Sequence, residues 1–511
     1  MADSSEDKSA TDGNKTLLRQ GSITLVGNVL GKVLGFGFFL LIPRLVDKDT
    51  FGVYTLAVSI VTLLVAVGSL NIDRAVDYFI PKNQRSESRS VPSKILVKLG
   101  GIAALCSLVV AGFLVIFSGR VATLFGEPRL ASVLPILAVL LPLLSIHRLQ
   151  LAIFNVVKRL QYRVYTKNFT LPVTKLTGAG ILTVTGYGLM GISVGHVIAV
   201  LLAVSVGFFI VFFQIPWSAK STEGSVTIKE ILKYSLPLSF AGVVTTVVSQ
   251  VDFLVVGLFR KSTEVATYRL AFLLAVNILL FHQAVTPIFK TLTAEIADDT
   301  TALKDRYQLA LRWVTIVTLP PAVTLLLLPG RYFGLLFGPK YSAASTVLPI
   351  LVFGQLFNTS VGPSGRFLEG RGRSRLVLLN TLLLLTVNAT LDVIFVQSFG
   401  IAGVAAGTAT AFALVGIVEV LEIYIFEGFF PIPPNVGKIW LAGGACYICS
   451  FFLLSYFSYH SIFTFTLPAI VLVLYFFFLV LSRAFTENDH RILSSVDDWI
   501  GYPILNRLII R

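Results

Sequence analysis

Apolar runs about as long as a bilayer is thick recur along this chain, and they limit its fold more than any other feature. An α-helix needs roughly 20 apolar residues to cross the hydrocarbon core, and a backbone in lipid must satisfy its own hydrogen bonds. Such runs fall near 22–42, 51–72, 95–117, 130–155, 168–186 and 188–213, then near 235–259, 266–289, 309–329, 345–367, 376–397 and 400–426. Two more lie near 436–458 and 461–482. With 55% hydrophobic residues, 13% charged and a mean hydropathy of +0.83, the chain has more apolar surface than a soluble core of its size could bury. The expectation is an all-α, polytopic membrane protein of about 14 transmembrane helices.

The runs are organised by a tandem duplication. Leu124-Phe125-Gly126 followed by Val133-Leu134-Pro135-Ile136-Leu137 returns as Leu336-Phe337-Gly338 followed by Val347-Leu348-Pro349-Ile350-Leu351, offset by 212 and 214 residues. Gly188, Gly191 and Gly195 return as Gly400, Gly403 and Gly407, again 212 residues on. A period this long fits two halves of several helices each, not a solenoid. Because six is even, both halves enter from the same side. The expected architecture is therefore two parallel pseudo-twofold six-helix bundles plus two C-terminal helices, with a cavity between the bundles that opens to each side in turn. The expected plan is a disordered cytoplasmic tail (1–20), an N-terminal bundle (21–213), a cytoplasmic linker (214–234), a C-terminal bundle (235–427), two further helices (428–482) and an amphipathic cytoplasmic tail (483–511). Pro135 and Pro349 point to a bend in each half.

Net charge is +14, which could suggest nucleic acid, but the basic residues sit in short loops between spans. Alternating the loops collects 30 of the 41 Lys and Arg on one side, 9 on the other, and leaves two within spans. That asymmetry places both termini in the cytoplasm, in the cytoplasmic membrane, and makes anionic lipid headgroups the expected surface partner. Cys446 and Cys449 form a C-x-x-C inside an apolar run, with no second pair, and read as small core residues. After Arg483, Ile492, Leu493, Val496, Trp499 and Ile500 share a helical face, with Asp489, Asp497 and Asp498 off it, which reads as a helix on the inner leaflet or a docked soluble helix.

Several short patterns together resemble a known family: Phe51-Gly52-Val53-Tyr54, Gln250-Val251-Asp252 with Gly257, Thr267-Tyr268-Arg269-Leu270, and Asn388-Ala389-Thr390-Leu391-Asp392 running on to Gly400-Ile401-Ala402-Gly403-Val404-Ala405. They resemble the polysaccharide biosynthesis or Wzx-type flippases of the multidrug/oligosaccharidyl-lipid/polysaccharide exporter superfamily. The resemblance implies a V-shaped pair of bundles that moves an undecaprenyl- or dolichyl-linked oligosaccharide from the cytoplasmic to the outer leaflet. It also implies no resident cofactor, coupling to H+, Na+ or the membrane potential, and glycosyltransferase or polymerase machinery as a further partner.

Charges at membrane depth cost about 2.5–3.5 kcal/mol each and need a reason. Lys32 lies midway along the first span. A cavity-facing cation there suits a lipid phosphate; a structural pair with a buried carboxylate is the bland reading. Lys175 and Arg148 are weaker phosphate candidates, and Arg148 reads first as a topology anchor beside His147. Arg269 reads as a cavity cation or an interface anchor. Asp252 and Asp392 read as proton or cation sites, or as partners for a basic residue. The G-x-G-x-x-G of Gly186, Gly188 and Gly191 lies in a turn without βαβ context, so helix packing explains it better. A cation-coupled drug exporter of the same architecture is the main rival, and it would carry an acidic cavity. A membrane glycan polymerase or ligase needs positioned acid/base or metal groups that these short outer loops do not supply, so no enzyme activity is expected.

Overall fold

The computed structural model describes residues 3–82, 91–218, 226–283, 299–456 and 462–486, together with Thr286, Phe289, Thr293 and Asp489. Among these, ten helices are long and apolar enough to cross a membrane. An eleventh span results if Pro339–Thr346 and Leu348–Gly370, bent by 53°, are taken as one. Two of the ten, Leu160–Gln214 and Ser374–Glu427, run to 55 and 54 residues and each takes in two of the expected runs. The protein is all-helical and multi-pass, as expected; the regular exception is a two-residue parallel pairing of Val91–Pro92 with Trp217–Ser218.

The chain divides into two compact units, Met1–Ala266 and Thr267–Arg511. The first contains α1 (Asp3–Leu45), α2 (Lys48–Gly68), α3 (Ile72–Lys82), α4 (Ser93–Leu124), α5 (Leu130–Ala138), α6 (Leu140–Val156), α7 (Leu160–Arg163), α8 (Leu171–Leu182), α9 (Gly188–Gln214) and α10 (Ile228–Phe259). Helix α1 takes in the segment expected as a disordered tail, and no proline interrupts it before Pro43. The boundary also differs from the expected linker at 214–234, because α10 stays with the first unit. The cause is packing: Gly257 leaves no room for a Cβ against the Leu56 methyls of α2, 2.5 Å away, and Asn71 donates to the Leu238 carbonyl at 2.7 Å.

Leu70 and Asn71 take positive φ (47° each), which turns the chain out of α2 into α3. There Ile72, Ala75, Val76, Phe79 and Ile80 repeat at helical spacing and are buried against Leu99, Phe154 and Ile231. An amphipathic helix thus stands where a plain connection was expected. Between α7 and α8 the helix widens into a π turn, Val164–Thr170.

The second unit begins within α11 (Ser262–Asn277), whose first residues belong to the first unit. It contains α12 (Thr300–Leu327), α13 (Pro329–Phe337), α14 (Leu348–Ser360), α15 (Ser364–Gly370), α16 (Ser374–Glu427), α17 (Val436–Tyr456) and α18 (Ile462–Leu481). Tyr307, Phe367, Phe429 and Phe289 form an aromatic knot at one end of this unit, with ring centroids 5.1–6.3 Å apart.

The duplicated glycines do the same work in each unit. Gly188 (φ 48°, ψ −122°) and Gly400 (φ 59°, ψ −141°) adopt a backbone that a side chain resists, and there one helix ends and the next folds back. Beyond the turn, a Cβ on Gly191 would stand 2.8 Å from the Leu182 carbonyl and one on Gly195 would stand 2.5 Å from the Ala179 nitrogen. Gly403 and Gly407 press likewise against Phe395 and Asp392. The repeated prolines are less alike: Pro135 lies inside α5, just before a break at Val139, whereas Pro349 sits in the first turn of α14.

Candidate functional site

In the first unit the candidate cations cluster around α1, α6, the π turn and α8. Gly27 and Gly31 of α1 lie against Val164 and Asn168 of the π turn, so the two backbones approach closely. Asn168 donates to Asn28 Oδ1 at 2.9 Å, which fixes the register. Lys32 is four residues after Asn28, so both leave α1 on one side, and the Lys32 side chain is exposed. Lys175 on α8 is half-buried, its Nζ 4.5 Å from the ring centre of Phe38 and 5.9 Å from that of Tyr54. Aromatic faces stabilise an ammonium group without neutralising it. The Tyr54 hydroxyl in turn shares a 3.0 Å hydrogen bond with His196 Nδ1, so Lys175 rests on a braced surface.

Arg148, on α6, donates from Nη1 to Ser69 Oγ at 3.2 Å, beside the end of α2. Arg163 and Lys167, which the sequence reading counted only as topology signals, share its surroundings: the charges of Arg163 and Arg148 both act on Lys167. Asp252 is buried on α10 among Val251, Phe253, Val255 and Val256.

In the second unit Asp392 has no exposed surface and lies against Gly407. Asn388, one turn before it, donates to Thr408 Oγ1 at 3.2 Å, and the Tyr268 hydroxyl is 3.4 Å from the same oxygen. Asp392, Asn388, Thr408 and Tyr268 therefore form one buried oxygen-rich group, of which the sequence reading had singled out only Asp392. Arg269 follows Tyr268 and is half-buried between the fully buried Tyr268 and Leu270.

Two further groups were not foreseen. At the end of the first unit opposite α3, Asp49, Leu56, Phe125 and Glu127 line a cavity of about 550 Å³ with residues 257–264. Arg129 donates from Nε to Glu127 Oε1 at 2.8 Å and also pairs with Asp49, which accepts from the Ser262 hydroxyl. Hydrogen bonding to Glu127, then to Asp49, holds the guanidinium above its ordinary range against partial desolvation. In the second unit Arg312 and Asp489 form a buried ion pair, with Arg312 Nη2 also donating to the Ala484 carbonyl at 2.6 Å. Asp489 was expected on the polar side of an amphipathic tail; its burial is a correction, caused by a partner 177 residues away. Residues 487–488 and 490–511 of that tail lie outside the described residues.

This geometry defines a class: a multi-pass helical membrane protein whose two units each turn on a repeated glycine hairpin, with cations at membrane depth in the first and an oxygen-rich cluster in the second. A sequence model for the polysaccharide biosynthesis protein family matches residues 17–293, more than half of the chain, and the chain belongs to that family. It is 26% identical over 209 residues to a probable low-salt glycan biosynthesis flippase of Haloferax volcanii, a match covering 40% of this chain and 43% of that protein. An uncharacterized membrane protein of Methanocaldococcus jannaschii is 21% identical over 394 residues, covering 73% of this chain and 77% of the other. Among solved structures, the lipid II flippase MurJ in an inward closed conformation superposes with a TM-score of 0.73 at 18% identity, over 90% of this chain and 98% of that one. An inward-facing multidrug resistance transporter of the MATE family gives 0.63 at 14% identity, over 80% and 98%. At these identities the two structures establish the fold.

Proposed function

We propose that this protein is a flippase that carries a polyprenyl phosphate- or pyrophosphate-linked oligosaccharide from the cytoplasmic to the outer leaflet by alternating access. The observation that carries the reading is the pair of cations at membrane depth in the first unit. Lys32 is exposed although it lies within the apolar helix Val26–Leu45, and Lys175 is held against Phe38 and Tyr54. An exposed ammonium at this depth is costly beside lipid and favourable beside a phosphate in a water-filled lumen. Family membership and the flippases among the similar proteins support the same reading. Arg269 is the candidate cation of the second unit. The lipid tail would remain in the bilayer while the phosphate and sugars pass through the lumen.

Asp392, with Asn388 and Thr408, supplies the oxygen donors a small cation or proton would use, and coupling of transport to such an ion is part of the proposal. Asp252 is the corresponding candidate in the first unit. The likeness to MATE transporters favours a second reading, cation-coupled export of drugs; the lysines of the first unit suit anions better than cationic drugs.

The test is a leaflet assay in cells lacking the protein. Lipid-linked oligosaccharide should accumulate on the cytoplasmic face, the wild type should clear it, and Lys32→Ala should clear it at least about tenfold more slowly, the equivalent of one lost charge-assisted contact. Normal lipid carriers in the deleted cells would instead move drug export to the front.

A further inference from the structure

Arg148, Arg163 and Lys167 form a second concentration of positive charge in the first unit. All three lie on the side of the membrane that the Lys and Arg asymmetry assigns to the cytoplasm, at the start of the span that continues into Lys175. Their hydrogen bonds go to neutral acceptors: Arg148 Nη1 to Ser69 Oγ and Arg163 Nη1 to Asn155 Oδ1, both at 3.2 Å. Among the described residues none of the three enters an ion pair. Asp77 on α3 feels the charge of Arg163 but does not pair with it. Like charges held together in this way repel one another unless an anion lies among them.

The local backbone points the same way. The π turn Val164–Thr170 inserts an extra residue per turn just where Lys167 stands, and such turns concentrate at functional sites. Its neighbours are anchored: Thr166 is fully buried and donates to the Tyr162 carbonyl at 3.0 Å, and Asn168 is buried and bonded to Asn28. Lys167 between them is exposed, while Arg148 and Arg163 are half-buried. The three cations are therefore positioned by buried neighbours and still reachable, which is the arrangement an incoming anion needs.

We propose that Arg148, Arg163 and Lys167 form a binding site for a phosphate ester headgroup on the cytoplasmic side of the first unit, beside the level at which Gly31 of α1 meets the π turn. The phosphate belongs either to the lipid-linked substrate on its way in or to a resident anionic phospholipid. The first source rests on the flippase reading; the site itself does not.

Binding is measured on the full-length protein in phosphatidylcholine nanodiscs, titrated with a short-chain polyprenyl phosphate and, separately, with phosphatidylglycerol. Wild type, Lys167→Gln, Lys167→Arg and Arg163→Gln/Lys167→Gln are compared. The double variant should lose about tenfold or more in affinity for the phosphate lipid, the single variant part of that, and Lys167→Arg should restore it. Raising ionic strength should weaken wild-type binding more than double-variant binding. Phosphatidylglycerol binding that is lost in the double variant, while the leaflet assay shows no flipping by the wild type, would uphold this site without the flippase reading, so the two failures are separable. Polyprenyl phosphate bound against excess phosphatidylglycerol identifies the substrate as the source; displacement by phosphatidylglycerol identifies the resident lipid. Wild-type affinity in the double variant overturns the proposal, as does unchanged affinity in Lys167→Gln should the double variant fail to fold.

Discussion

Asp47 shows how one side chain fixes a helix start. It precedes α2 with an extended backbone (φ −66°, ψ 158°), and its carboxylate accepts from the Thr50 nitrogen at 2.8 Å. Burial alone would raise its pKa, but the backbone and hydroxyl of Thr50 outweigh that and hold the carboxyl below its ordinary range. A lowered pKa means that the cap stabilises the fold at neutral pH and loses that contribution as pH falls through the folded value. Asp47→Ala should therefore cost about 1 kcal/mol at neutral pH, seen as a lower Tm in detergent, and the gap from wild type should close in acid. A gap that stays constant into strong acid would mean that the charge plays no part. The cap was not read from the sequence, although an acidic residue before an apolar run is a legible signal. Arg163 and Lys167 were missed for a different reason. Arg148 lies on α6 and the other two follow the break at Val157–Arg159, where Lys158 takes a positive φ of 56°, so spacing rules within one α-helix do not bring them together.

At the scale of the helix, the glycines were the most legible feature. Only glycine tolerates the backbone at positions 188 and 400, and only glycine admits the contacts at 195 and 407, so the duplication appears in the sequence where the hairpins need it. Gly195→Ala and Gly407→Ala should each destabilise the protein by about 1–3 kcal/mol through overpacking, and Gly400→Ala by a similar amount, about 1–3 kcal/mol, through backbone strain. Gly101→Ala serves as the control, since a Cβ there meets nothing within 4 Å. In thermal denaturation it should match or exceed the wild type. Equal loss in the control would show that any added methyl is harmful and that the hairpin contacts are not special. What periodicity could not supply was the choice of neighbour. Hydrophobic spacing identified α10 as a span but carried no information on whether it packs with the helices before or after it, and the Gly257–Leu56 contact decided that.

Across the whole molecule, the two units keep the same hairpin and differ in the charges placed near it. In the first unit Gly195 faces Ala179, and Lys175 lies one turn before Ala179 on the same helix; in the second Gly407 faces Asp392, with Asn388 one turn before it. One duplicated scaffold thus presents a cation in one unit and a buried carboxylate in the other, and under the proposed function these would divide the work of holding an anionic substrate and sensing a cation. Asp392→Asn tests that division, because asparagine keeps the volume and loses the charge. In proteoliposomes with an imposed Na+ or proton gradient, wild-type flipping should be faster than without the gradient, and Asp392→Asn should run at the same rate in both conditions. Lys32→Ala should be slow in both but still respond to the gradient, since it removes the proposed phosphate contact and leaves the carboxylate in place. If Asp392→Asn responds to both gradients as the wild type does, this cluster is structural and the driving ion acts elsewhere, with Asp252 the next residue to replace.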